Sequence, residues 1–99
     1  MIKIMNNGER VTFRLCTGTI ATVSTFVVDQ CVQYISHGII VPLDTIIDFT
    51  ILGSNLRITI GDKWFACDAT TNLPDNVSVS VKLTVGEFLD VLREGWLIV

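Results

Sequence analysis

Charge is scarce in this chain: Asp, Glu, Lys and Arg make up 17% of its 99 residues, against about 25% in an average soluble domain. The seven basic residues, Lys3, Arg10, Arg14, Arg57, Lys63, Lys82 and Arg93, stand apart from one another and are outnumbered by ten acidic ones. Affinity for nucleic acid rests on clustered Lys and Arg that release counterions from phosphates. With no such cluster and a net charge of -3, nucleic acid is not the expected partner. Long apolar runs are missing as well. Met1 to Arg10 has no continuous apolar segment of the kind a secretory signal needs. The uncharged stretches Leu15 to Val28 and Gln30 to Leu43, separated by Asp29, both fall short of the about 20 residues of a membrane-spanning helix. A cytoplasmic chain without a membrane anchor is the expectation.

Chemistry-bearing residues are equally sparse. Cysteine occurs three times, as Cys16, Cys31 and Cys67. An odd number without C-x-x-C spacing makes neither a disulfide framework nor a zinc set, so three free, mostly buried thiols are expected. His37 is the only histidine. It could pair with Cys31 or Cys16 as base and nucleophile, but it precedes Gly38 at a turn, and no neighbouring pattern supplies an oxyanion hole or an orienting third group. The carboxylates Asp44 and Asp48, or Asp62 and Asp68, lack the spacing, the Gly and the closing Glu of a calcium loop. The seven glycines stand singly, as turn and cap glycines do, and none builds a phosphate-cradling loop. No cofactor, no metal and no enzyme activity are expected.

What the chain does have is apolar substance, 49% of its residues. A chain of this length buries roughly two-thirds of its unfolded surface in one core, so residues 1–99 are expected to form a single domain, with some apolar material left exposed or covered by another chain. Turn residues punctuate it clearly. Ile2 to Met5 leads into Asn6-Asn7-Gly8, a hairpin signal. Val11, Phe13 and Leu15 alternate with polar residues up to Thr17-Gly18, as in a half-buried strand. Thr19 to His37 is open between strands and a helix: Ile20, Val23, Val27, Cys31, Tyr34 and Ile35 also fall near helical spacing, while the density of Val, Ile, Thr and Tyr favours strands. Ile39 to Val41 reads as a strand that runs into Pro42, which has no N–H and so belongs at a strand end or edge, before a turn at Pro42 to Thr45.

Ile47, Phe49 and Ile51 alternate as another strand up to Gly53-Ser54-Asn55. Leu56, Ile58 and Ile60 follow, and Gly61-Asp62 is a two-residue hairpin into Lys63 to Cys67. Asp68 to Asn76 reads as an exposed polar loop. Val77, Val79, Val81 and Leu83 alternate once more, and after Thr84 the period changes to 3.6. Thr84 and Glu87 spell a capping box, Val85, Phe88, Leu89 and Leu92 share a helix face, and Gly95 closes it. Trp96 to Val99 is expected to add a terminal strand. The fold class is therefore mainly β with one C-terminal helix, an α+β chain. A small bent antiparallel sheet or barrel is followed by a hairpin, a strand and the helix.

From Val11 to Ile51 the order VTFRLCTGTIATV, VQYIS, HG, IIVPL and IIDFTIL resembles the Sm-like type of small, strongly bent β-barrel. The resemblance implies a Gly turn at Gly18 leading into a long bent strand, with the turn at Pro42 to Thr45 before the closing strand. Many Sm-like proteins bind RNA as rings. The signature residues of that site are not recognisable in this sequence and basic charge is sparse, so the activity does not transfer with the pattern.

Accessible aromatics dominate binding energetics, which singles out Lys63, Trp64 and Phe65 beside the hairpin and Trp96, Leu97, Ile98 and Val99 at the apolar end. If Ala66 shares the buried face with Trp64, Phe65 points outward. The expected function is a small non-enzymatic interaction module, a regulator or inhibitor that occupies a partner protein's surface. The alternatives are a subunit of a homo-oligomeric assembly and a weakly RNA-binding barrel of the Sm-like kind.

Overall fold

The computed structural model describes residues 2–6, 8–15, 17–38 and 41–97, and for 37, 38, 96 and 97 the backbone alone. The expected mainly-β architecture is what forms. Strands β1 (Ile2–Asn6), β2 (Arg10–Arg14) and β3 (Ile20–Ser24) make an antiparallel meander. Their alternation puts Ile4, Val11, Phe13, Ala21 and Val23 on a buried face. A second meander contains β4 (Ile46–Leu52), β5 (Asn55–Ile60) and β6 (Lys63–Asp68), with Ile47, Phe49, Ile51, Leu56, Ile58 and Ile60 turned inward. Strand β8 (Ser78–Thr84) joins it against β4, giving the order β6-β5-β4-β8.

The two sheets are sewn together at both sides. Past Asp68 the β6 strand turns a corner at buried Ala69 and continues as β7 (Thr70–Thr71) on the edge of the first sheet, paired with β3. On the other side, helix α2 (Val85–Glu94) leads from β8 to β9 (Trp96–Leu97), which pairs with β1 and completes the order β7-β3-β2-β1-β9. Phe49 binds the layers: its ring centroid lies 5.2 Å from that of Phe13 in the first sheet and 5.6 Å from that of Phe88 in α2.

Local chemistry sets the boundaries. Gly53 (φ 54°) and Gly61 (φ 63°) stand first in their two-residue turns and supply the positive φ that a tight hairpin of the II′ kind demands. The capping box at α2 is reciprocal: Glu87 N–H donates to Thr84 Oγ1 at 3.1 Å and Thr84 N–H donates to Glu87 Oε1 at 2.8 Å. Gly95 ends the helix in the left-handed conformation.

Three expectations meet a different outcome. Only Ile20–Ser24 of the ambiguous segment is strand; Thr25–Gln33 is helix α1, continued by a π-helical turn at Tyr34–Gly38. Packing overrode the β propensity, because helical spacing buries Val27, Val28 and Cys31 together while the Ser24 hydroxyl caps the Phe26 N–H. The Asp68–Asn76 segment is not simply an exposed loop. Its first residues are strand, and Asn72 fastens the next ones by accepting from Ile20 N–H and donating to Gly18 O, both at 3.0 Å. Val41, expected to end a strand before Pro42, is in no strand: the first one after α1 is β4, entered from the turn that the Thr45 N–H closes by donating to Pro42 O at 3.1 Å. Ile39, Ile40, Ile98 and Val99, expected in strands, lie outside the described residues.

Candidate functional site

The four-stranded sheet has one face in the core and one uncovered. Its outer rows follow from the register: Trp64, Thr59, Asp48 and Lys82 lie across the strands in one row, Ala66, Arg57, Thr50 and Ser80 in the next, and Asp68, Asn55, Leu52 and Ser78 in the third. Trp64 stands out with 58% of its surface exposed, and the Arg57 guanidinium sits 5.0 Å from its ring centroid. This cation–π contact, electrostatic in origin, ties the exposed aromatic to the neighbouring strand. Beside it, Asp48 Oδ1 accepts from Ser80 Oγ at 2.8 Å and from Thr50 Oγ1 at 3.0 Å, which fixes the central polar groups. An open depression of about 550 Å³ spans Thr50, Leu52, Asn55, Arg57, Ala66 and Asp68. Leu52 and Ile46 add exposed apolar surface to the same face.

The sequence-predicted site is divided by the fold. Lys63, Trp64 and Phe65 do follow the Gly61-Asp62 turn, but on alternate faces. Phe65 is the half-buried one, edge-on to Tyr34 at 5.9 Å with Lys63 Nζ 5.7 Å from its ring, while Trp64 and Ala66 face outward. The suggestion that Phe65 points outward is therefore reversed, because Ile60 opposite Lys63 belongs to the core and fixes the parity of the strand. Trp96 and Leu97 form β9 at the far edge of the other sheet, hydrogen-bonded to β1, and so do not meet the hairpin. Ile98 and Val99 lie outside the described residues. Arg57 was missed, although the two-residue turn sets Arg57 opposite Ala66 and diagonal to Trp64 and so contained the pairing.

Both described thiols favour the protonated form. Cys31 is fully buried, and burial, with the neighbouring Cys67 second, pushes its pKa from 9.0 up to about 12. Burial also raises Cys67, with Asp68 adding to the effect. Both are free thiols, while Cys16 and the His37 side chain lie outside the description. Among the described residues no group of three His, Cys, Asp or Glu is placed to hold a metal ion. No described helix is long and apolar enough to cross a membrane.

No protein-family model, curated protein or solved structure matches this chain. The site's own chemistry therefore carries the functional argument.

Proposed function

We propose that this chain is a small protein-interaction module, a regulator or inhibitor that occupies a partner protein's surface through the outer face of its four-stranded sheet. The observation that carries the reading is Trp64, 58% exposed and stacked beneath Arg57 on that face. Trp and Arg are the residue types that most often supply the energetic centre of an interface. Exposed Ile46 and Leu52 at the two ends of β4 add apolar surface to the same face, and the hydroxyl and carboxylate groups between them and Trp64 offer hydrogen bonds, a mixture of apolar and polar groups of the kind protein contacts use. Basic Arg57 and Lys82 share the face with acidic Asp48 and Asp68. That mixture suits a protein surface better than a phosphate backbone, whose recognition needs one sign of charge.

Capture from extract of the native cells, with immobilised wild-type protein and variants as bait, tests the reading. A partner retained by wild type should be lost by about tenfold or more with Trp64→Ala, the size of effect expected at a binding hot spot. Retention should persist with Phe26→Ala, which alters another exposed aromatic, on α1. Equal retention by wild type and Trp64→Ala would remove this face from consideration.

A further inference from the structure

The edge strand next to this face carries a second, more specific message. In a two-residue hairpin the residues flanking the turn exchange both backbone hydrogen bonds, and bonded and non-bonded pairs then alternate. Ile60 and Lys63 flank Gly61-Asp62, so Lys63, Phe65 and Cys67 direct their N–H and C=O groups to β5. The bond from Ala69 N–H to Ser54 O, 2.7 Å, continues the same phase past the end of β6. Trp64, Ala66 and Asp68 consequently aim their backbone groups away from the sheet, where they find no backbone partner among the described residues. An open edge of this kind pairs readily with another strand.

We infer that β6 pairs antiparallel with β6 of a second copy of this chain, about a two-fold axis through Ala66, joining the two four-stranded sheets into one continuous sheet. The inference rests on the reading of this face as an interaction surface and names one partner for its border.

The register follows from symmetry. A two-fold axis perpendicular to a continuous sheet keeps both outer faces on the same side, so only residues of equal parity face each other. Centring on Ala66 sets Ala66 against Ala66 and Trp64 against Asp68 of the second copy, and every outward N–H and C=O of the three residues gains a partner. Charge agrees with this arrangement. The Trp64 end of β6 carries the Arg57 guanidinium on its outer face and the other end carries Asp68, so antiparallel pairing brings each Asp68 beside the partner's capped tryptophan. Ala66 on the axis adds no bulk. The other edges are less suited. On β8 the outward phase is Ser78, Ser80 and Lys82, whose charge already lies beside Asp48 of β4 and would meet only Ser78 in a two-fold pairing through Ser80, and β7 and β9 are two residues long.

Light scattering over a dilution series, combined with amide hydrogen exchange, tests the pairing. The expected result is a dimer that dissociates on dilution, with the Trp64, Ala66 and Asp68 amides protected at high concentration and released at low. Ala66→Pro removes an N–H that the monomer does not use, and a strand edge accommodates it. It should give a monomer with unchanged circular dichroism, and Asp68→Lys, which sets a cation beside Arg57, should shift the dimer midpoint to higher concentration. A full-length protein that stays monomeric at every concentration would overturn the pairing, as would a dimer whose three amides exchange freely. Assembly beyond the dimer with Ser80 and Lys82 also protected would replace the two-fold register with chaining of β6 onto β8. Failure here is separable from failure of the interaction reading: a strict monomer that still captures a partner through Trp64 loses only the self-pairing.

Discussion

Residues at which one atom decides the outcome give the sharpest expectations. Thr84 Oγ1 satisfies an otherwise unpaired amide at the start of α2, so Thr84→Ala should cost about 0.5–2 kcal/mol, read as a lowered denaturant midpoint with unchanged slope. Cys31 should resist alkylation at neutral pH until the protein unfolds, because burial raises its pKa from 9.0 to about 12 and keeps the thiol protonated. The folded state then holds a proton that the unfolded state releases first. Its contribution to stability is complete below about pH 9 and is lost as pH climbs toward 12. Unfolding titrations across that window should show stability falling with pH, and Cys31→Ala should flatten the fall. At this scale the capping box was fully legible in the sequence, since it is a contact between residues three apart. The Arg57–Trp64 contact was legible only to a reader who carried the turn's register two pairs further.

Elements follow turn chemistry more faithfully than propensity. The Gly61 hairpin forms where the sequence predicts it, the break read at Gly53-Ser54-Asn55 is a second hairpin, and the two turns are not equally tolerant. Both need positive φ, but a Cβ at Gly53 would meet the Asp75 Cα at 3.0 Å, whereas Gly61 has open space around it. Gly53→Ala should therefore lower the thermal midpoint more than Gly61→Ala, and equal losses would mean that backbone conformation alone sets the cost. Helix α1 is the element that the sequence concealed. Thr25, Val27, Val28 and Val32 are β-branched, and single-residue preference therefore favoured strands. What decided for a helix is long-range, the burial of Cys31, Val27 and Val28 against strands distant in the chain. The strand at Thr70–Thr71 escaped for a similar reason, because two residues are too few for an alternation to be seen.

Across the whole molecule, the aromatic file Phe13–Phe49–Phe88 links both sheets and α2 through one interior. Phe88 has no exposed surface. Phe88→Ala should cost about 3–5 kcal/mol, the transfer loss plus the cavity left behind, and urea unfolding should register it in full at every probe. A loss confined to the signal of α2 would mean that the helix is only loosely tied to the sheets. The corner at Ala69 carries a consequence for heat. One strand begins in one sheet as β6 and ends in the other as β7, so neither sheet can melt while its neighbour stays frozen. Scanning calorimetry should accordingly record a single endotherm whose calorimetric and van't Hoff enthalpies coincide.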